Sequence, residues 1–283
     1  MLKRQREGSV ICTSCGVLVG VNDDTCYNCG RRNPGLWGYA PALRALGQDL
    51  GFIPFVIGTC AVLWVLTLVA SQGQIGMGGL FSMLSPNTIA LINFGSSGAV
   101  PVFTLGRWWT VLSAGWLHAG VLHILFNMMA LRQLGPGIAE LYGPGRMVII
   151  YTAGSVVGFA LSSFAGEFLP PLLVLRGSSL TVGASASIAG LIGAILAYGH
   201  RSGSGMARSH ASTYILMLVV YGFLLPGIDN YAHAGGFAGG YLAARYLDPL
   251  KAERVDHIVV ALACLGASLL SIVWSLLNPV LLR

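Results

Sequence analysis

Charge is what this sequence has least of. Asp, Glu, Lys and Arg together make up 9% of its 283 residues, where a soluble domain carries roughly 25%. With 55% of the chain hydrophobic, a water-soluble globule is excluded and an all-α polytopic membrane protein is expected. The first 50 residues lack any apolar stretch resembling the core of a cleavable signal peptide, so the N-terminus is expected to remain in the mature protein. The first expected span, from about Pro54 to Ala70, has no charged residue at all. Acidic side chains are scarcer than basic ones, and the net charge is +6. The placement of the basic residues explains that excess, and no nucleic-acid partner is expected from it.

Glycine is abundant, 39 residues or about twice the usual share of roughly 7%, which suits helices packed backbone to backbone in lipid. Of six cysteines, Cys60 and Cys264 sit alone in apolar runs and read as small core hydrophobes. The other four form two knuckles, Cys12-Thr-Ser-Cys15-Gly and Cys26-Tyr-Asn-Cys29-Gly, separated by a ten-residue gap. Four thiolates at that spacing suit a structural zinc site with a filled coordination sphere. A disulfide pair is the competing reading, disfavoured where thiols stay reduced. Residues 1–35 are therefore expected to be a zinc-ribbon-like domain holding about one structural Zn²⁺ through Cys12, Cys15, Cys26 and Cys29. The gap and near-balanced charge do not choose between recruiting a protein partner, binding nucleic acid and stabilising the N-terminus.

Residues 36–52 read as a linker. Later spans are expected at about Trp116–Leu134, Met147–Ala165, Ser185–Tyr198, Thr213–Leu225, Tyr231–Leu247 and Ile258–Leu277, making seven: six in one block and a C-terminal extra. Residues 71–115, with Pro86, Pro101 and short apolar patches, form a long loop of the kind that has a function or is partly embedded; Trp108 and Trp109 suit interfacial anchoring. Thirteen Lys and Arg residues fall on one side: Lys3, Arg4, Arg6, Arg31, Arg32, Arg44, Arg132, Arg146, Arg201, Arg208, Arg245, Lys251 and Arg254. Three fall on the other: Arg107, Arg176 and Arg283. The positive-inside rule places the N-terminus in the cytoplasm.

In that topology spans two, four and six start on the outer side and run inward. His118, His123 and Asn127 are expected in the first three turns of span two. Ser185 opens span four within Thr181-Val-Gly-Ala-Ser185, and His233 occupies the first turn of span six. A serine is a nucleophile only when a base takes its proton, and His233 is the candidate. Gly236 and Gly240 after it, with Gly183, Gly190 and Gly193 around Ser185, allow close helix approach. His123 and Asn127, four apart, share a helix face and can donate to a developing oxyanion, a contribution of about 3–4 kcal/mol per donor. A single membrane serine or histidine is more often an interhelical hydrogen bond, the assignment given to Ser155, Ser162, Ser163 and Ser187. Asp229, four residues before His233, reads as a helix N-cap rather than a third catalytic group. His200, His210 and His257 read as solvated.

Over about residues 50–250 the chain resembles the rhomboid intramembrane serine proteases. The matching pieces are Trp116-Leu-His118-Ala-Gly-Val-Leu-His123-Ile-Leu-Phe-Asn127, Gly183-Ala-Ser185 and Ala232-His233-Ala-Gly-Gly236, in the family's order. The resemblance implies a six-helix rhomboid-like catalytic domain, residues 53–250, plus an extra transmembrane helix within 251–283. It implies a Ser185/His233 dyad hydrolysing peptide bonds in or next to transmembrane segments of protein substrates. His123, Asn127 and the Ser185 amide would form the oxyanion hole, with His118 in support and no catalytic cofactor. The site would open to the outer side of the lipid bilayer, at the cell inner membrane in a bacterium. Three positions depart from the family's pattern: Ala186 replaces a glycine, Ala189 an aromatic residue, and the loop's Trp-Arg pair reads Arg107-Trp108-Trp109. The alternative is a catalytically silent relative that binds membrane proteins or serves their quality control.

Overall fold

The computed structural model describes residues 4–13, 15–44, 47–79, 82–171, 175–225 and 227–280. Lys3 and Arg283 of the charge count, residues 45 and 46 of the expected linker, and residues 80 and 81 of the long loop lie outside these. At the N-terminus β1 (Ser9–Ile11) pairs antiparallel with β2 (Leu18–Gly20), Val10 opposite Val19. A short helix α1 (Ala40–Arg44) follows, then the first long helix α2 (Phe52–Ala70).

The stretch expected as one long loop contains α3 (Thr88–Phe94), a π-helical turn (Val100–Thr104), α4 (Thr110–Ser113) and a 3₁₀ turn (Ala114–Trp116). Asn87 starts α3, its side chain accepting from the Ala90 amide at 2.8 Å, and Gly95 ends it in the left-handed conformation that glycine adopts without steric cost. The remaining elements are α5 (Val121–Tyr142), α6 (Pro144–Phe168), α7 (Ser185–Ser202), α8 (Gly205–Leu224), α9 (Asn230–Tyr246) and α10 (Val255–Leu277).

The expected second span is displaced. Trp116 closes the 3₁₀ turn, the helix starts only at Val121, and the chain bends by 92° between them. At its other end α5 runs to Tyr142, through Pro136. A proline removes one rung of the ladder, to the carbonyl four residues back. Pro136 and Arg132 both lie on an exposed face, where that carbonyl need not be left dry. Gly143 then ends α5 and Pro144 opens α6 at its first position, where the missing N–H costs nothing. The fifth expected span also begins earlier, at Gly205, with Ser204 accepting from the Ala207 amide.

Phe52–Ala70, Pro144–Phe168 and Val255–Leu277 are each long and apolar enough to cross a membrane, and Thr110–Trp116 with Val121–Tyr142 qualifies as one broken span. The chain is thus a helical membrane bundle. Its centre is a contact of three backbones, α6, α7 and α9. A Cβ placed on Gly190 would lie 3.0 Å from the Gly154 Cα and 3.4 Å from the Gly240 Cα; one on Gly240 would lie 2.2 Å from the Gly190 carbonyl oxygen. Only glycine permits such approach, and dispersion between the bare backbones is what holds helices together in lipid.

Charged groups gather at one end of the bundle. Arg146, only 2% exposed, donates to the Asp248 and Lys251 carbonyls and pairs with Glu253, while Arg201 pairs with Asp248 at 3.1 Å. These contacts tie the start of α6 to the connection between α9 and α10. They satisfy both terminal nitrogens of a buried guanidinium that would otherwise be costly.

Candidate active site

Ser185 is the first residue of α7 and is half-buried. Two residues before it Gly183 has φ +126°, a conformation that side chains with a Cβ rarely adopt. The Gly183 amide donates to the Ala114 carbonyl at 3.0 Å, and Thr181 forms an isolated bridge with Ser97. The serine is thereby delivered to the helix end by a strap pinned against the long loop. The Ile188 amide is the first to bond inside the helix, to Ala184. The amides of Ser185, Ala186 and Ser187 therefore have no intrahelical acceptor and face the helix's positive end.

His123 and Asn127 lie on α5, the imidazole half-buried and Asn127 buried. The His123 Nδ1 accepts from the Ala119 amide at 3.3 Å. That bond assigns the ring proton to Nε2, making Nε2 a donor. It is this nitrogen that faces Gly183, where an added Cβ would meet it at 2.5 Å and the Asn127 Nδ2 at 3.8 Å. Asn127 uses one Nδ2 hydrogen on the His123 carbonyl, 2.8 Å away, and keeps the other. Two donors from α5 therefore meet the chain immediately ahead of Ser185.

His118 does not lie on the helix, contrary to expectation. It sits in the bend before α5, fully buried, its ring 5.2 Å from that of His123 in an edge arrangement. Gly120, extended at φ 171°, interrupts the helical pattern, so helix-face spacing does not apply to His118. Neither of its ring nitrogens has a hydrogen-bond partner among the described residues.

His233 occupies the first turn of α9 and is half-buried. Its Nδ1 is buried with no hydrogen-bond partner among the described residues. Asp229 caps α9 through the Ala232 amide at 2.9 Å and takes a hydrogen bond from the Ser162 hydroxyl. It is an N-cap, as its position implied. One turn on, α9 meets α7 backbone to backbone: a Cβ on Gly236 would fall 2.2 Å from the carbonyl oxygen of Ala186, the residue after Ser185. Ala186 also packs on Gly158 of α6.

Gly154 and Gly158 are a contribution that the sequence reading missed. Their four-residue spacing was the available signal. Of the serines assigned to interhelical bonding, Ser155 donates to the Val111 carbonyl at 3.3 Å, Ser162 to Asp229, and Ser163 lies 3.3 Å from the Ser97 hydroxyl, whereas the Ser187 hydroxyl is buried with no hydrogen-bond partner among the described residues. Trp108 is 69% exposed, and the Trp109 indole is half-buried against α10 and donates to Ser275.

At the N-terminus the sulfurs of Cys12, Cys15, Cys26 and Cys29 all lie within 4.8 Å of one another. Sulfurs bound at ~2.3 Å around one tetrahedral ion stand ~3.8 Å apart; the Cys12–Cys29 and Cys15–Cys26 separations are 3.8 and 3.6 Å. A disulfide needs about 2.05 Å. Each knuckle turns back on itself, the Gly16 amide bonding the Cys12 carbonyl and the Gly30 amide that of Cys26, with both glycines left-handed. The Val17 backbone first, then the Asn28 side chain and the neighbouring sulfurs, draw the Cys15 thiol down to about 6, favouring the thiolate that a metal requires. The donor set and spacing fit a metal ion.

A profile of the Rhomboid domain matches residues 105–249, just over half of the chain. Among curated proteins the chain is 32% identical over 171 residues to the Rhomboid protease GluP of Bacillus subtilis, covering 59% of this chain and 31% of that one. It is 34% identical over 164 residues to RHOMBOID-like protein 4 of Arabidopsis thaliana and 31% identical over 164 residues to RHOMBOID-like protein 1 of the same plant. Each of these covers 56% of this chain, with 39% and 40% of the relative. The chain thus spans about a third to two-fifths of the length of these relatives.

Proposed function

The chain belongs to the rhomboid family, and from that membership we propose that it is an intramembrane serine endopeptidase in which Ser185 is the nucleophile and His233 its base. In this reading His233 takes the hydroxyl proton as the Ser185 oxygen attacks a peptide carbonyl in or beside a substrate's transmembrane segment. The proton then passes to the leaving amine, and water, activated by the same histidine, releases the acyl group. The developing oxyanion is met by His123 Nε2–H, the free Asn127 Nδ2–H and the Ser185 amide at the positive end of α7. His118 supports the ring of His123 from behind. No cofactor enters the reaction.

One observation carries the reading: the Ala186 carbonyl packs on Gly236 while Gly183 packs on His123, so α9 and α5 both meet the chain within two residues of Ser185. The positively charged end of the bundle is assigned to the cytoplasm, which turns Ser185 toward the outer side. Residues 53–250 form the catalytic domain, with α10 as the extra helix beyond it. Residues 1–35 form a cytoplasmic ribbon around one structural zinc, held by Cys12, Cys15, Cys26 and Cys29; when bound, the ion ties together a ribbon whose apolar core is little more than Val10, Val19 and Val21.

The test is hydrolysis of a single-span reporter protein in proteoliposomes. The wild type should release a product cut in or near the span, and Ser185→Ala should release none while keeping its helix content. Equal cleavage by both would remove the dyad.

A further inference from the structure

We propose that α10 is a bracket that sets the position of Ser185, with Ser271 and Ser275 as positioning residues acting through the long loop; the inference rests on the reading of Ser185 as the nucleophile.

Arg107 is 3% exposed yet has no carboxylate partner among the described residues. Instead its Nη1 donates to the Ile92 carbonyl at 2.8 Å and its Nη2 to the Ser275 carbonyl at 2.9 Å. Both carbonyls belong to the last turn of a helix, Ile92 in α3 and Ser275 in α10. The carbonyls of a last turn carry the negative end of the helix dipole, which favours a cation. One guanidinium thus fastens two helix ends together. Lysine carries the same charge on one point and lacks the fork that makes two such bonds.

Trp109, two residues on, completes the joint. The Trp109 indole Nε1 donates to the Ser275 hydroxyl at 3.0 Å, its carbonyl accepts from the Ser271 hydroxyl at 2.7 Å, and its ring meets Trp274 edge-on at 6.3 Å. The Val280 amide adds a bond to the Asn93 side chain at 2.7 Å. Ser271 and Ser275 are buried and bond the loop, so these hydroxyls are turned onto it rather than toward lipid, where unpaired hydroxyls would be costly.

The joint leads to the candidate nucleophile. Thr110 bonds back to the Arg107 carbonyl, Ser113 to the Gly95 carbonyl, and the Ala114 carbonyl receives the Gly183 amide. From Ser275 to Ser185 the path is therefore α10, Arg107 and Trp109, α4, Ala114, Gly183. It is made of hydrogen bonds and short rigid turns.

The experiment uses the full chain in detergent with the Ser271→Ala, Ser275→Ala double variant and with Trp109→Phe, which keeps an aromatic side chain but removes the indole donor and part of its volume. Both should slow fluorophosphonate labelling of Ser185 by about tenfold and raise amide hydrogen exchange across residues 110–117 and 181–185, at unchanged helix content. Combining them should add little, since they cut one path. Exchange at the wild-type level in those segments overturns the bracket, as does wild-type labelling speed in both variants. A wild type that never labels, together with raised exchange in the variants, leaves the mechanical coupling standing and removes the protease reading instead.

Discussion

Gly183 lies so close to the His123 imidazole that a Cβ added to it would meet Nε2 at 2.5 Å, in a backbone conformation, φ +126°, that a side chain resists. The strap before Ser185 and the donor on α5 are thus in contact at backbone level. Gly183→Ala meets both obstacles. Overpacking of this kind costs about 1–3 kcal/mol, and the displacement of His123 should lower the rate of Ser185 labelling about a hundredfold. Thermal unfolding and probe labelling on the same preparation check the two effects separately.

Gly236 is the corresponding close approach on α9. An alanine there would place its Cβ 2.2 Å from the Ala186 carbonyl oxygen, and backbone cannot yield as a flexible side chain does. Gly236→Ala should push α9 from α7 and abolish proteolysis. Gly266→Ala, where an added Cβ meets nothing within 4 Å, should leave cleavage of the reporter unchanged. Equal activity of the two variants would refute the importance of the backbone contact.

Asp229 separates a cap from a catalytic acid. Its carboxylate receives the Ala232 amide and the Ser162 hydroxyl, and asparagine can accept the capping bond as well. Asp229→Asn should retain activity within a few-fold, while Asp229→Ala should lose about 1 kcal/mol of stability. A large fall in kcat for Asp229→Asn with unchanged melting would instead assign it a part in the chemistry.

The ribbon is expected to hold one zinc per chain in reduced protein. Chelation should unfold β1 and β2, read as new protease sensitivity within residues 1–35, and leave the bundle helices intact. Metal analysis finding no zinc in reduced protein, or a ribbon equally resistant after chelation, would contradict this.

Phe52–Ala70, Pro144–Phe168 and Val255–Leu277 were legible because apolar runs of that length admit few alternatives in a chain this poor in charge, and His123 and Asn127 carried their own helical spacing. What was not legible has physical causes. His118 looked helical because the pattern ran through it, yet the break at Gly120 and the 92° bend are decided by packing against the loop. The short helices between residues 88 and 116 are set by tertiary bonds such as Trp109 to Ser275, whose partners lie 166 residues apart. No local pattern records such a partner. Gly154 and Gly158 did have a readable spacing, and their role in the centre of the bundle follows from it.

The most direct test of the account is fluorophosphonate labelling of the purified full-length protein, comparing wild type with Ser185→Ala and His233→Ala. The account requires label on the wild type at Ser185 and none on either variant, with all three equally helical. A His233→Ala variant that labels as fast as wild type would contradict the dyad; a folded wild type that takes no label would contradict it too and favour a silent relative that binds membrane proteins, with Ala189 in place of an aromatic residue as the first position to alter.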